Sequence, residues 1–140
     1  MPTDRKRIMV GYSANFTSDM VLSVAKEHAK AFDATLLLVS SVVGHSLAED
    51  GSLQDRDAEQ RLVHLKESLE REGIPYEAHL IARGENAGAD LVRFAEEHSV
   101  DEIVVGFKQR SALGEMVFGS NYRYIIAKAP CPIVTVHDWK

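Results

Sequence analysis

Short apolar segments alternate with amphipathic segments along this chain, and that alternation constrains its fold more than any other sequence feature. The clearest apolar segment is Ala34 to Ser41, where nearly every residue is apolar or β-branched. A strand of that composition is typical of a parallel sheet, which helices cover on both faces. The sequence therefore predicts an α/β domain built on a parallel sheet.

The predicted elements follow one another in the order β-α-β-α-β-α-β-α-β. We predict strands over residues 7–12, 34–41, 76–82, 101–106 and 133–137. We predict helices from a cap at Ser18 to Phe32, from after the 43–55 loop to Glu72, from a cap at Asn86 to His98, and over 120–128. Right-handed crossovers make this order a doubly wound, Rossmann-like sheet of five parallel strands, for which we expect the order 3-2-1-4-5. Residues 1–140 then form a single domain.

Composition excludes some classes of partner. The formal net charge is −5, which disfavours a general nucleic-acid-binding protein. The apolar runs are too short to cross a membrane, and no signal-peptide pattern precedes the first strand. The single cysteine, Cys131, cannot form an internal disulfide, which fits a reducing compartment. We therefore expect a cytoplasmic protein that binds neither nucleic acid nor membranes.

One segment near the end of the chain has the composition of a phosphate-binding loop. An apolar run, Ile103 to Val105, leads into Gly106, and Gly119-Ser120 opens the last predicted helix. The first N–H groups of a helix have no intrahelical partners and the helix dipole adds partial positive charge there, so such a terminus attracts phosphate. The sequence therefore predicts a nucleotide site on this loop.

The predicted topology places this loop where a ligand is expected. In the order 3-2-1-4-5, strands one and four are neighbours at the point where the winding reverses. Ligands of such sheets bind there, beyond the carboxyl ends of the strands. Those two ends carry Tyr12-Ser13-Ala14-Asn15 and Gly106-Phe107-Lys108.

These residues also carry a family resemblance, because the chain resembles the universal stress protein family over essentially its whole length. The nucleotide-binding branch of that family has Gly, two residues, Gly, nine residues, Gly, then Ser or Thr, and Gly106, Gly119 and Ser120 match it. The run Ala129-Pro130-Cys131-Pro132 before the last strand is also similar to the family's. The resemblance implies an adenine nucleotide ligand, ATP or AMP with accompanying Mg²⁺, a homodimer, and a role in stress survival.

Two positions depart from the family pattern. Gln109 replaces the second glycine, which adds a side chain where the backbone should approach phosphate and removes glycine's freedom at positive φ. Ser13 stands where many members carry an acidic residue, so its hydrogen bond to a ligand would lack charge. Two functions therefore stay open: a regulatory nucleotide-binding stress protein, and a dimeric interaction protein of the same fold that has lost the nucleotide. An adenylating or flavin-dependent enzyme is a third, weaker alternative.

The candidate site combines the strand ends with the loop. We expect phosphates on the N–H groups around Gly119, Ser120 and Asn121. Lys108 or Arg110 would add charge. The resemblance places the adenosine between Ser13 and Ser41. The full candidate set is Tyr12, Ser13, Ser41, Gly106, Lys108, Gln109, Arg110, Gly119, Ser120 and Asn121. A structural alternative remains for these positions, since Gly106 also suits a turn and Ser120 an ordinary N-cap.

The sequence favours a regulatory role over catalysis. The six histidines show no metal-ligand spacing, and no Ser-His-Asp or Cys-His constellation can be assembled. We therefore assign no catalytic residue and no metal site, and expect little or no hydrolysis. Occupancy would order the loop from 106 to 119 and bias a surface seen by a protein partner.

The last strand is the predicted basis of assembly. At the end of the order 3-2-1-4-5, Ile133, Val134 and Val136 would leave unpaired backbone groups at an open edge. Such an edge calls for cover or a partner. We therefore expect a homodimer through the edge of strand five.

Overall fold

Strands and helices alternate along the part of the chain that the computed structural model describes, residues 5–11, 19–41, 56–81, 87–108 and 120–138. The strands are β1 (Arg7–Gly11), β2 (Thr35–Ser41), β3 (Tyr76–Ile81), β4 (Glu102–Lys108) and β5 (Ile133–Asp138). The helices are α1 (Asp19–Phe32), α2 (Arg56–Glu72), α3 (Ala87–Glu97) and α4 (Ser120–Lys128). The predicted order of elements is confirmed.

The strands form one sheet in the order β3-β2-β1-β4-β5. Each pair of neighbours is parallel. This is the predicted 3-2-1-4-5 order, with β1 at the centre between β2 and β4. The winding of the chain reverses between β1 and β4, as expected for a doubly wound sheet.

Alternate residues of β1, β2 and β4 supply two separate cores, one on each face of the sheet. Ile8 and Val10 of β1 pack with α1 and α2, while Met9 between them packs with α3 and α4. Successive side chains of a strand point to opposite faces, so an unbroken apolar run serves both cores. Four apolar residues of α3 are buried, namely Leu91, Val92, Phe94 and Ala95.

Three of the helices end in the same backbone conformation. The residues Asp33, Gly73 and Ser99 have φ values of 53°, 70° and 52°, in the left-handed region. In each case the next amide donates to a carbonyl five residues earlier, in the pairs Ala34–Ala29, Ile74–Leu69 and Val100–Ala95. This is the Schellman arrangement, which satisfies a carbonyl at the end of the helix.

An ion-pair network joins α1 to the end of α2. The Glu72 carboxylate lies 2.8 Å from Lys26 Nζ and 2.7 Å from Lys30 Nζ. Lys26 also donates to the Ser68 hydroxyl. The hydrogen bonds from Lys26 and Lys30 lower the pKa of Glu72 to about 2.

One predicted strand boundary was wrong. The fourth strand was expected to end at Gly106, but β4 continues to Lys108 because it pairs with β5 as far as Asp138.

The last residue of α1, Phe32, is 49% exposed. Lys6 Nζ lies 4.0 Å from the centroid of the Phe32 ring, which is a cation–π contact.

Candidate functional site

The central strand β1 lies between β2 and β4, at the point where the winding of the chain reverses. Gly11 of β1 pairs with Val39 of β2, and Val10 pairs with Val104 of β4. At the same edge, β2 is described to Ser41 and β4 to Lys108. The carboxyl ends of β1 and β4 are the ligand position in sheets of this class.

The N-terminus of α4 lies at the same edge of the sheet. A helix that follows a parallel strand runs back against it, so α4 begins at the carboxyl edge and ends at the amino edge. The helix starts at Ser120, as predicted from the Gly-Ser pair. Ile125 anchors it to the core and is 1% exposed. The first amides of α4 therefore belong to the carboxyl edge, where unpaired N–H groups favour an anion.

The buried residue Gly11 of β1 faces Leu91 of α3. A Cβ atom built on Gly11 would lie 3.4 Å from Leu91 Cδ1, an ordinary van der Waals distance. A small side chain at this position would therefore touch Leu91 without displacing it. Gly11 was not among the residues predicted from the sequence.

Asp90 is a charged residue inside the core beside this contact. It is 0% exposed, precedes Leu91, and lies in the first turn of α3. The positive end of the α3 dipole favours a carboxylate at that position. Sequence reasoning missed Asp90, since an acidic residue in a first helical turn is usually exposed.

The structure brings part of the predicted site together. Gly106 and Lys108 are strand residues of β4, and Gly106 is buried. Ser41 is the last residue of β2, and Ser120 and Asn121 open α4. By their backbone, these five residues belong to strand ends and a helix start that share the carboxyl edge. The predicted residues Tyr12, Ser13, Gln109, Arg110 and Gly119 lie outside the described residues.

Away from the candidate site, several described histidine side chains make contacts that hold elements of the fold together. His28 Nδ1 lies 2.8 Å from Glu102 Oε2, which ties α1 to the first residue of β4 at the opposite, amino edge. The rings of Phe94 and His98 stack with centroids 3.8 Å apart, and the ring of His79 lies 4.9 Å from that of Phe94. Among the described residues, no three His, Cys, Asp or Glu side chains are grouped so that they could hold a metal ion.

Cys131 has the environment of a packed thiol. Its residue is partly buried and packs against the core on the α3 and α4 side of the sheet. Burial raises the pKa of the Cys131 thiol, and the nearby carboxylates of Asp101 and Glu102 raise it further. A raised pKa keeps the thiol protonated and makes it a poor nucleophile.

Within the described ranges, none of the helices has the length and apolar character that crossing a bilayer requires.

The fold and this edge define a class, that of doubly wound α/β domains with a ligand position at the switch point. The family model described as "Universal stress protein family" matches residues 4–137, and the chain belongs to that family. The resemblance noted from the glycine spacing is thereby confirmed.

Individual relatives match over nearly the whole chain. A universal stress protein of Thermus aquaticus is 27% identical over 137 residues, covering 94% of this chain and 98% of the relative. The solved structure of a universal stress protein from Archaeoglobus fulgidus has a TM-score of 0.75 at 30% identity, with 93% of this chain and 97% of that one covered. A universal stress protein structure from the same organism, in complex with dAMP, has a TM-score of 0.70 at 28% identity, with 93% and 96% covered.

Proposed function

We propose that this protein binds an adenine nucleotide, AMP or ATP, at the carboxyl edge of its sheet and that the bound nucleotide has a regulatory role. The observation that carries the proposal is the 28% identity, over 93% of the chain, to an Archaeoglobus fulgidus protein solved in complex with dAMP. The position of β1 beside β4, where the winding reverses, supports the same location.

The phosphates would bind at the start of α4. The amides of Ser120 and Asn121 open that helix, and its dipole adds partial positive charge. Lys108 and Arg110 would supply further positive charge, and Mg²⁺ would accompany ATP through the phosphate oxygens. The adenosine would lie between Ser13 and Ser41, beyond the ends of β1 and β2.

We assign the nucleotide a regulatory rather than a catalytic role. Occupancy would bias the protein toward the conformation that a protein partner recognises. A ligand shifts such an equilibrium only by its differential affinity for the two states. Little or no hydrolysis is part of this proposal.

A charge placed at the start of α4 tests the proposed position of the phosphates. In Ser120→Asp the new carboxylate suits a helix N-terminus, so the fold is expected to survive. The same carboxylate would repel a phosphate. We expect Ser120→Asp to bind AMP at least about tenfold more weakly than the wild type, because unit charges near a protein surface interact by a few kcal/mol.

The matched control adds the same charge away from the site. Ser23→Asp lies on the exposed side of α1 and should bind AMP like the wild type. Titration calorimetry measures both variants. Equal AMP affinity in Ser120→Asp and Ser23→Asp would show that the phosphates do not bind at α4.

We also propose a homodimer through the edge of β5. The amide of Ile103 in β4 donates to the carbonyl of Pro132, 3.0 Å away. Consecutive residues direct their backbone groups to opposite sides of a strand, so the N–H and C=O groups of Thr135 face the open edge. The other edge strand, β3, carries the exposed charge of Glu77, which discourages edge pairing.

A further inference from the structure

We propose that His79 and His98 form a binding site for a divalent transition-metal ion of the zinc and copper class, between β3 and the end of α3. The two histidines lie far apart in the sequence, and the packing of α3 against β3 brings their rings together. His98 follows the last residue of α3, at the amino edge of the sheet, so this site is separate from the proposed nucleotide position. The inference does not depend on the proposed function.

The two imidazole rings have the separation that a shared metal ion requires. Their centroids lie 5.5 Å apart, with the ring planes at 57° to one another. An ion about 2.0–2.1 Å from one nitrogen of each ring lies about 3 Å from each ring centroid. Two rings at a near-tetrahedral angle around such an ion have centroids about 5 Å apart. The observed separation is therefore compatible with both rings as ligands of one ion.

Hydrogen bonds leave one nitrogen of each neutral ring with a lone pair. His79 Nε2 lies 2.9 Å from Glu77 Oε1, and His98 Nδ1 lies 3.1 Å from the carbonyl oxygen of Phe94. A carboxylate and a carbonyl oxygen only accept, so these two nitrogens donate. Nδ1 of His79 and Nε2 of His98 are then the acceptors, which is the form in which imidazole binds a metal. Metal-ligating histidines typically donate their other N–H to a carboxylate or a backbone carbonyl in this way.

The surroundings hold the two rings and leave an approach from solvent. The ring of Phe94 stacks on that of His98 with centroids 3.8 Å apart and lies 4.9 Å from that of His79. Arg7 donates to the carbonyl of His98, 2.8 Å away, and so fixes the backbone at the end of α3. The His79 side chain is 32% exposed, so an ion can reach it.

Water would complete the coordination of the ion. The described residues add no third His, Cys, Asp or Glu side chain to the pair. Zinc takes about four ligands, and imidazole suits zinc, copper and nickel better than it suits magnesium or calcium. A site with two protein ligands therefore selects a late transition metal and keeps open positions for water.

Titration calorimetry with Zn²⁺, in the absence of nucleotide, tests the proposal. We expect a saturable site for one ion per chain in the wild type. His79→Gln and His98→Gln should each bind Zn²⁺ at least about tenfold more weakly, because even the loss of an outer hydrogen-bond partner of a metal ligand costs about that much. Mg²⁺, which prefers oxygen ligands, should show no comparable binding.

A matched control removes an exposed histidine elsewhere. His64→Gln on α2 should bind Zn²⁺ like the wild type. Equal Zn²⁺ affinity in His79→Gln, His98→Gln and the wild type would overturn the proposal and leave an adventitious ion only.

A second measurement uses the wild type alone, so it does not depend on the folding of a variant. On addition of Zn²⁺, the ring ¹⁵N NMR signals of His79 Nδ1 and His98 Nε2 should shift more than those of any other histidine. Shifts confined to other histidines would overturn the proposal. Neither measurement involves a nucleotide, so a negative result in either leaves the proposed function standing.

Discussion

At the scale of single residues, Glu72 has a protonation equilibrium that the fold changes strongly. Its pKa falls from 4.5 to about 2 because Lys26 and Lys30 donate to the carboxylate. A carboxyl group with a lowered folded-state pKa stabilises the fold above its unfolded pKa and loses that contribution as the pH falls through the folded one. The window is therefore pH 4.5 down to about pH 2.

Glu72→Gln should remove this pH dependence. We expect the unfolding free energy of the variant to fall less steeply than that of the wild type between pH 4.5 and about 2. Denaturant titrations at several pH values measure the slopes. Glu67→Gln, an exposed position of the same helix, is the control. A wild-type slope in Glu72→Gln would contradict the assigned role of the two lysines.

The backbone conformation of Ser99 destabilises the fold in a way that glycine at this position would not. Its φ of 52° is left-handed, a conformation that costs a residue with a Cβ atom about 1 kcal/mol. Ser99→Gly should therefore stabilise the protein by about 0.5–1 kcal/mol. Gly73→Ala, at the equivalent position after α2, should destabilise it by a similar amount. Thermal or urea unfolding measures both, and a destabilised Ser99→Gly would contradict the assignment.

The burial of single polar residues near the site was the feature that the sequence predicted least well. Asp90 is the example, because an acidic residue in the first turn of a helix does not indicate burial. Its burial depends on how α3 packs on the rest of the fold, which is tertiary structure. The spacing of Gly106, Gly119 and Ser120, by contrast, is local, and it indicated both the start of α4 and the family.

At the scale of elements, the proposed dimer can be tested at β5, because the backbone N–H and C=O groups of Thr135 face the open edge of the sheet. Thr135→Pro removes an N–H that faces the open edge and leaves the bonds to β4 intact, since proline is tolerated on edge strands. We expect this variant to be monomeric by light scattering while the wild type is dimeric.

Thr135→Ala is the matched control for the edge of β5, because it shortens the side chain and keeps the N–H. It should remain dimeric. A dimeric Thr135→Pro that keeps the native fold by circular dichroism would place the dimer contact elsewhere.

Element boundaries followed from local sequence where a cap or breaker was present. Gly73 ends α2, and α4 begins and ends at the predicted residues Ser120 and Lys128. The end of β4 could not be predicted in the same way. Gly106 is a common strand terminator, but pairing with β5 extends the strand to Lys108, and that pairing exists only in the folded sheet.

At the scale of the whole molecule, the strand order followed from few assumptions. Alternating strands and helices with right-handed crossovers restrict the topology, and the buried character of β2 requires cover on both faces. The order β3-β2-β1-β4-β5 then places β1 and β4 side by side. The register of β1 with its two neighbours depends on their pairing in the folded sheet, and no single-strand pattern indicates it.

The central claim is that the switch point of this fold binds an adenine nucleotide, and titration calorimetry of the wild-type protein with AMP tests it most directly. We predict saturable binding of one AMP per chain, with no comparable binding of an inorganic phosphate control at the same concentration. No saturable binding of AMP at millimolar concentration would contradict the account.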